Sequence, residues 1–169
     1  MSIATDLLVI SDRAARGERA DETAALLRPV LAEAGFDLRR VQILEDDRGA
    51  IREAIRTAAA DVGLVLTTGG TGIARRDVTP EATRDVIEYE VPGLAERMRA
   101  RSAEQNVHAL GSRALAGVLG EAIVLNLPGR PQGAVECFRI VAPVLPHLVA
   151  VRRGPVPDAS HEAPADPEP

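Results

Sequence analysis

The sequence predicts an α/β fold in three layers, α/β/α, with helices on both faces of a mostly parallel sheet. Short apolar runs alternate with amphipathic stretches along most of the 169 residues, which is the pattern of strands connected by helices. Apolar residues make up 46% of the chain, enough for one domain with a buried core. We therefore expect one folded unit over residues 1–154, after which the composition changes.

The first predicted elements are a strand and a long helix. Residues 7–10 are an apolar run that predicts a strand, and the polar residues 11–20 predict a loop. Residues 21–34 carry apolar side chains on one helical stripe. Pro29 lies inside this helix, where it removes a hydrogen bond and favours a kink. Gly35 follows at a position typical of a helix end.

The next elements repeat the order strand, helix, strand. Residues 37–44 alternate partly between polar and apolar side chains, which predicts a second strand. Residues 47–60 place isoleucine and alanine side chains on one helical face. Residues 62–67 are a continuous apolar run, typical of a parallel strand that is buried on both faces.

A further helix is predicted to begin at Thr79. Threonine is a favourable N-cap residue, and Pro80 suits the first helical position. We expect this helix to reach about Tyr89. Pro92 interrupts the pattern, so the following helix is assigned to residues 94–105.

The last predicted elements surround Gly120 and then follow Pro131. Residues 114–119 and 122–127 are apolar runs on either side of Gly120, which indicates two strands and an antiparallel edge. A final helix is expected over residues 131–141, and the prolines after it disturb its end.

The C-terminal segment differs in composition from the rest. From Pro155 onward Pro, Ala, Asp and Glu dominate, without apolar periodicity. Such a segment cannot bury enough apolar surface to offset the entropy lost on ordering, so we expect residues 155–169 to form a disordered acidic tail. The tail carries much of the net charge of −5. The remaining body is nearly neutral and lacks the basic surface of a nucleic-acid-binding protein.

Composition also limits the compartment and the chemistry. No apolar run is long enough to span a membrane, and the N-terminus lacks the basic region of a secretory signal. Cys137 is the only cysteine, so no intrachain disulfide can form; we expect a cytoplasmic protein with Cys137 in its core. The chain contains arginine but no lysine, so phosphate groups would be bound by guanidinium groups, backbone N–H groups or a metal ion.

The most informative segment is a glycine-rich turn directly after the predicted strand at residues 62–67. Glycines allow successive N–H groups to converge on an anion, and ligands bind at the carboxyl ends of parallel strands. The turn lacks the lysine of a P-loop and the third glycine of the dinucleotide fingerprint. A tight turn without a ligand remains the alternative. The predicted phosphate-binding residues are Thr68, Gly69, Gly70, Thr71 and Gly72.

Two aspartates lie near the same end of the predicted sheet. Asp46 follows the second strand, and Asp77 lies just beyond the glycine turn. Two carboxylates that converge beside phosphate groups can hold Mg²⁺ through oxygen ligands. The alternatives are a solvated turn with a helix N-cap at Asp46 and Asp47, and a carboxylate at Asp77 that caps its own backbone.

Four motifs occur in one order along the chain: TTGGTG at residues 67–72, RDVTPEAT at 76–83, PG at 92–93 and NLPG at 126–129. Together, over about residues 7–149, they closely resemble the MogA/MoaB molybdenum-cofactor family, which includes the gephyrin G domain. The resemblance is strongest to the MogA-like molybdopterin adenylyltransferases. It implies the MogA/MoaB-like fold.

The resemblance also implies an activity. Members of this group transfer AMP from Mg-ATP to molybdopterin and release pyrophosphate, so Mg²⁺, ATP and molybdopterin are the implied cofactor and substrates. A homotrimer and a molybdenum insertase as protein partner are implied as well. The alternatives are a non-catalytic molybdopterin-binding or scaffold protein of the same fold and a generic nucleotide-binding regulator.

The resemblance assigns metal binding and catalysis to Asp46 and Asp77. The family usually carries Pro-Asp-Glu where this chain has Glu45-Asp46-Asp47, so Asp47 is a competing assignment. Glu81 is either a pocket residue or a partner of the helix dipole. Besides the glycine turn, the implied substrate and nucleotide contacts are Ser11, Asp12, Glu81, Ser112, Arg113, Asn126, Pro128 and Gly129.

Overall fold

A six-stranded sheet forms the middle layer of the protein in a computed structural model, which describes residues 2–154. The strands are β1 (Ile3–Ile10), β2 (Phe36–Leu44), β3 (Leu64–Thr68), β4 (Tyr89–Glu90), β5 (Ala116–Leu119) and β6 (Ala122–Leu127). The helices are α1 (Asp12–Ala15), α2 (Thr23–Glu33), α3 (Arg48–Ala59), α4 (Thr79–Arg84), α5 (Pro92–Ala103), α6 (Pro131–Val141) and α7 (Leu145–Arg153), with a short 3₁₀ helix at Val107–Gly111. The tail predicted at residues 155–169 lies outside the described residues.

The sheet is mostly parallel, as the sequence predicts. Its order is β2-β1-β3-β6-β5-β4, and β2, β1, β3 and β6 run parallel to one another. β5 pairs antiparallel with β6 through a turn at Gly120, whose φ is +57°, and β4 pairs antiparallel with β5. The antiparallel edge expected around Gly120 is therefore confirmed.

Helices cover both faces of the sheet because successive residues of each central strand point to opposite sides. Leu7 and Val9 of β1 pack in the cluster that contains α2, α5, α6 and α7. Leu8 and Ile10 pack in the second cluster, with α3 and residues of α4. Phe36 and Phe138 meet edge-to-face in the first cluster, with ring centroids 5.9 Å apart.

The order of the strands creates a switch point between β1 and β3. From β1 the chain moves outward to β2, and it then returns across β1 to place β3 on the other side. In open parallel sheets, the connections that leave such a pair of strands diverge and open a crevice at the carboxyl ends. The loops after β1 and β3 therefore border a natural ligand-binding position.

The structure corrects the prediction for the helix at Thr79. Thr79 is the first residue of α4 and not its N-cap, which is Val78. The Thr79 hydroxyl instead donates to the carbonyl of Gly69 at 2.9 Å, because the glycine turn lies against the start of this helix. The helix also ends at Arg84, well before Tyr89, because Tyr89 pairs with Val118 in the sheet.

Two α-helices, the 3₁₀ helix and strand β4 are absent from the sequence prediction. The expected loop at residues 11–20 contains the single turn α1, which is capped by the hydroxyl of Ser11. The prolines expected to disturb the end of the last helix separate α6 from α7, and Pro146 lies in the first turn of α7. Leu145 and Val149 fix α7 on the core, which local sequence pattern alone does not reveal.

In residues 2–154 no single helix is long and apolar enough to cross a membrane. The pair α6 and α7 passes on length and composition together, but it bends by 64°. Phe138 and Leu145 of this pair are fully buried in the core.

A buried carboxylate lies in β1, where the register with β2 shifts between Thr5 and Asp6. The Asp6 side chain is 2% exposed, and neither of its oxygens accepts a hydrogen bond from the described residues. Burial raises the pKa of Asp6, and Asp61 raises it further, while Arg40 at 3.6 Å opposes the shift. The neutral form of Asp6 is therefore favoured by folding.

We expect Asp6→Asn to stabilise the protein at pH 7 and to have less effect at low pH. A raised pKa means that the folded state holds the Asp6 proton more tightly, so wild-type stability falls as pH rises from the ordinary value of 3.8 through the raised one. The asparagine variant lacks this penalty. Urea unfolding at pH 7 and pH 4 measures the difference. Asp37→Asn, at an exposed position of β2, is the control, and an equal effect of both variants would contradict the prediction.

Candidate active site

Four loops meet at the carboxyl edge of the sheet because the strands that precede them are parallel. They follow β1, β2, β3 and β6. The N–H of Ser11 after β1 donates to Leu44 O at 2.8 Å, and the N–H of Gly69 after β3 donates to Leu127 O at 3.2 Å. These bonds hold the loops in one continuous edge, which includes the predicted site residues Ser11, Asp46, Gly69 and Pro128.

The glycine turn passes through a space that admits no side chains. Gly69 and Gly70 have φ values of +92° and +61°, a conformation that favours glycine. A Cβ at Gly69 would collide with the carbonyl oxygen of Ile10. A Cβ at Gly70 would lie 2.9 Å from Asp46 Oδ1 and would collide with Thr79 Oγ1. Gly129 closes the far side, since its Cβ would lie 3.1 Å from Gly69 Cα.

The turn is anchored from behind and leaves N–H groups available in front. The N–H of Thr79 donates to Gly70 O at 3.1 Å, and the Gly69 N–H is bonded to Leu127. The N–H groups of Gly70, Thr71 and Gly72 donate to no acceptor among the described residues. Successive unpaired N–H groups in a rigid turn form an anion-binding concavity, which agrees with the phosphate-binding role predicted for this segment.

Asp12 and Asp46 are joined by reciprocal hydrogen bonds. The N–H of Asp12 donates to Asp46 Oδ2 at 3.2 Å, and the N–H of Asp46 donates to Asp12 Oδ1 at 3.0 Å. Arg76 closes the group with two bonds to Asp12, Nε to Oδ2 at 2.6 Å and Nη2 to Oδ1 at 2.9 Å. The Arg76 hydrogen bonds and the Asp46 N–H lower the pKa of Asp12, which is therefore ionised. The loops after β1, β2 and β3 are thus connected through charged groups.

Asp46 lies beside Gly70 of the glycine turn, and Asp77 lies beside Gly72. Burial raises the pKa of Asp46, and repulsion from Asp12 and Asp77 adds to this, although its hydrogen bond with Asp12 opposes the shift. Asp77 Oδ2 accepts from the N–H of Ala74 at 2.9 Å and lies where a side chain on Gly72 would be. The alternative predicted from sequence, an Asp77 that caps its own loop, is therefore present. Negative charge accumulates beside the turn and favours a cation there.

The competing residue Asp47 faces a different partner. Its side chain accepts from Ala50 N at 2.7 Å as the N-cap of α3. Asp46 Oδ1 instead lies beside Gly70 and accepts no hydrogen bond from the described residues. The geometry therefore favours Asp46 over Asp47 as the carboxylate of the site.

Arg113 holds the segment that follows the turn. Its guanidinium donates to Gly72 O at 2.6 Å, to Asp77 O at 2.8 Å and to Glu81 Oε1, and its N–H donates to Thr71 O at 2.8 Å. Burial by itself would raise the pKa of Glu81, but the hydrogen bond from Arg113 lowers it overall. Glu81 therefore positions Arg113, and Arg113 fixes the loop that carries Asp77.

Asn126 lies behind the pocket wall, whereas the sequence predicts polar contacts in the pocket. It is fully buried. Its amide donates to the hydroxyls of Thr67 and Thr83, both at 2.9 Å, and its oxygen accepts from Leu115 N at 3.3 Å. The side chain joins β3, β6 and α4, so it supports the site without facing it.

A cavity of about 510 Å³ opens beside the turn. Thr71, Ser112 and Pro128 line it, as do Met98 and Ser102 of α5. Its size is typical of a small-molecule pocket, and no Phe or Tyr lines it. The cavity is therefore suited to a flat ligand that rests on aliphatic and polar groups.

The remaining predicted residues line a second, smaller cavity. Ser11, Thr68 and Gly129 border a cleft of about 40 Å³, which is too small to enclose a nucleotide. Sequence reasoning did not assign Arg76 or Thr79 to the site. Arg76 directly precedes Asp77, and this position was the available signal. Cys137 is buried next to Ser102, as expected for a core residue.

We expect Gly70→Ala to destabilise the protein more than Gly120→Ala. Both glycines have similar positive φ values, +61° and +57°, so both substitutions carry the left-handed penalty of about 1–2 kcal/mol. Only the Gly70 Cβ meets neighbours, Thr79 and Asp46, while the Gly120 Cβ meets nothing within 4 Å. The crowding adds about 1–3 kcal/mol. Chemical denaturation measures both free energies of unfolding.

The same pair of variants tests the phosphate-binding turn. ATP affinity, measured by calorimetry, should fall for Gly70→Ala and stay at the wild-type value for Gly120→Ala. Unchanged ATP affinity in a folded Gly70→Ala protein would remove the turn from the site.

Comparison with known proteins identifies the family. The chain matches the model of the "Probable molybdopterin binding domain" over residues 6–147. It is 36% identical over 147 residues to "Molybdopterin adenylyltransferase" of Helicobacter pylori, with 85% of this chain and 84% of that protein covered. It is also 36% identical over 151 residues to "Molybdenum cofactor synthesis protein cinnamon" of Drosophila melanogaster, with 88% of this chain covered. The chain spans a quarter of the length of that protein, 25%.

Solved structures agree with this assignment. The molybdopterin biosynthesis enzyme MoaB from Thermus thermophilus superposes with a TM-score of 0.85 at 42% identity, with 90% of this chain and 98% of that chain covered. The fold, the glycine turn and the sequence match therefore lead to one conclusion: the chain belongs to the molybdopterin-binding MogA/MoaB family of molybdenum cofactor biosynthesis.

Proposed function

We propose that this protein is a molybdopterin adenylyltransferase, which transfers AMP from ATP to molybdopterin and releases pyrophosphate. The observation that carries the proposal is the position of the glycine turn. Asp46 Oδ1 lies beside Gly70 and Asp77 Oδ2 lies beside Gly72, and Thr71 between these glycines lines a cavity of about 510 Å³. A phosphate-binding turn between a carboxylate pair and an organic pocket suits a reaction between two phosphorylated substrates.

The reaction joins a phosphate of molybdopterin to the α-phosphorus of ATP. An oxygen of the molybdopterin phosphate forms the new P–O bond, and the bond from the α-phosphorus to the bridging oxygen breaks, so pyrophosphate leaves with that electron pair. The attacking phosphate is already ionised, so no side-chain base is required. The protein contributes alignment and charge stabilisation.

In the proposal, the N–H groups of Gly70, Thr71 and Gly72 bind phosphate oxygens at the point where the two substrates meet. Thr71 belongs both to the turn and to the lining of the large cavity, which makes it the boundary between the two substrates. Ser112 and Pro128 form walls for the pterin, and Arg113 keeps the turn rigid through its bonds to Gly72 and Asp77.

The residues beside the turn fit a magnesium ion held jointly with substrate. Residues 2–154 contain no group of three or more His, Cys, Asp or Glu side chains that would hold a metal alone. Mg²⁺ usually binds one or two carboxylates together with substrate phosphates and water. Asp46 Oδ1, which accepts no hydrogen bond from the described residues, and the carboxylate of Asp77 would supply those ligands. The ion would neutralise phosphate charge when it is bound.

A rival proposal is a non-catalytic molybdopterin-binding or scaffold protein of the same fold. The departure at Glu45 from the usual Pro-Asp-Glu is the observation that favours it. A generic nucleotide-binding regulator is a third hypothesis. Incubation of the protein with molybdopterin and Mg-ATP separates them, since the adenylyltransferase alone forms adenylylated molybdopterin and pyrophosphate. Mass spectrometry detects the adenylylated product, and its absence with both substrates bound would favour the scaffold.

We also propose a cytoplasmic homotrimer that delivers its product to a molybdenum insertase. The trimer and the insertase derive from the family resemblance. The exposed apolar residues Val41 and Ile43 on the edge strand β2 support contact between subunits, since open apolar edges are usually covered. The single buried thiol of Cys137 suits a reducing compartment. Light scattering tests the trimer.

We expect Asp77→Asn and Asp46→Asn each to lower adenylyl transfer by about a hundredfold or more, which corresponds to ~3 kcal/mol. Each substitution keeps the size of the side chain and removes the charge that binds the metal. Single-turnover formation of adenylylated molybdopterin measures the effect, and molybdopterin binding should survive.

Asp47→Asn is the matched control for Asp46→Asn. Asparagine is as good an N-cap as aspartate, so α3 keeps its first turn and transfer should stay near the wild-type rate. If Asp47→Asn were the more damaging of the two, the metal-binding assignment would move to Asp47.

A further inference from the structure

Arg76 differs from Arg75 and Arg113, the other arginines beside the glycine turn, in the partners that its guanidinium group binds. The guanidinium of Arg113 is half-buried and bonded to Gly72 O, Asp77 O and Glu81, so it could leave only by breaking bonds to the loop it supports. Arg75 is exposed and makes no hydrogen bond or ion pair with the described residues. In the part of the chain that the structure describes, Arg76 bonds to Asp12 alone, and its side chain is 66% exposed.

The contact between Arg76 and Asp12 occupies a carboxylate next to the proposed metal site. Asp12 Oδ1 accepts from both Arg76 and the N–H of Asp46, and Oδ2 accepts from Arg76. Its oxygens are therefore directed to these donors. The same guanidinium also offsets the repulsion among Asp12, Asp46 and Asp77, and it opposes the rise in the pKa of Asp46. Arg76 thus supplies positive charge beside Asp12 and Asp46.

We propose that Arg76 is an exchangeable counter-ion, which pairs with Asp12 in the free protein and moves to the phosphates of ATP when a divalent cation reaches the carboxylates. This positioning role rests on the proposed function and extends it to a residue outside the assigned site. An exposed ion pair contributes little to stability, so the exchange costs little. A guanidinium binds phosphate through paired hydrogen bonds as readily as it binds carboxylate.

The proposal makes Arg76 and the divalent cation competitors. Because coupling between two binding events is reciprocal, removal of Arg76 must tighten cation binding as much as the cation weakens the Arg76 contact. We expect Arg76→Ala to bind Mn²⁺, in the absence of nucleotide, about fivefold or more tightly than wild type. Electron paramagnetic resonance of free Mn²⁺ measures the affinity without any turnover.

Arg75→Ala is the matched control, because it removes the same positive charge one residue away. The Arg75 side chain has no hydrogen-bond or ion-pair partner among the described residues. This variant should bind Mn²⁺ within about twofold of wild type, since exposed charges are screened. Equal affinities for Arg75→Ala and Arg76→Ala would overturn the exchange. Arg76→Gln replaces Arg76→Ala if thermal unfolding shows that the alanine variant does not fold.

ATP affinity tests whether Arg76 moves from Asp12 to the nucleotide. Asp12→Asn releases Arg76, so it should tighten ATP binding in the presence of a chelator. The same substitution also removes a negative charge, and a double-mutant cycle separates these effects. The gain should largely disappear when Asp12→Asn is made in the Arg76→Ala background. An equal gain in both backgrounds would show that Arg76 does not move to the nucleotide.

These measurements are independent of the proposed reaction. They use Mn²⁺ alone and ATP alone, so a failure to form adenylylated molybdopterin leaves the result for Arg76 unaffected. Conversely, normal product formation together with unchanged Mn²⁺ and ATP affinities in the variants would retain the proposed function and overturn the role of Arg76.

Discussion

The close passage of the glycine turn between the ends of β1 and β6 is the constraint on which the site depends. The backbone of Gly69 lies against the Ile10 carbonyl on one side and Gly129 on the other. Any side chain there would separate the strands and move the loops that carry Asp12, Asp46 and Pro128. The turn can only be this close because β1, β3 and β6 are adjacent and parallel. Sheet order and glycine positions thus act together.

Polar groups around the turn are of two kinds. Some are hydrogen-bonded within the protein, and others have no hydrogen-bond partner among the described residues. Asn126 and Arg113 use their hydrogen-bonding groups within the protein, and Asn126 does so while fully buried. Buried polar groups without partners are costly, so these bonds make the scaffold rigid. The N–H groups of Gly70 to Gly72 and Asp46 Oδ1 have no such partners within residues 2–154. A rigid frame with unpaired groups at its surface is what preorganised binding of phosphate requires.

Two cavities of very different size lie beside the turn. The large cavity is lined by aliphatic and polar side chains such as Met98 and Ser102, together with the imidazole of His108, and it would take the pterin ring. The second cavity is a small cleft next to Ser11 and Thr68. The preference of the site for charged ligands comes from the charged groups around it, because residues 1–154 taken together are nearly neutral. The site would therefore act at short range and would not steer substrates from a distance.

Local pattern determined the fold class, most strand positions and the glycine turn, because apolar periodicity and glycine are strong local signals. It also located Asp77, whose motif is continuous with the turn. It did not decide the roles of residues that depend on distant partners. Sequence alone predicts Thr79 as an N-cap and Asn126 as a pocket residue. In the structure, Thr79 instead bonds to Gly69, and Asn126 bonds to Thr67 and Thr83.

The tertiary structure gave Asp46 and Asp47 different partners, and only it brought Arg76 to Asp12, 64 positions away in the chain. The physical reason is the same in each case. A side chain's local preference is worth a few tenths of a kcal/mol to about one, whereas contacts set by strand order select one partner among several that are locally equivalent. Sequence by itself therefore determined the fold class, most of the strands and where the glycine turn lies. The packing of those elements decided which charges meet there.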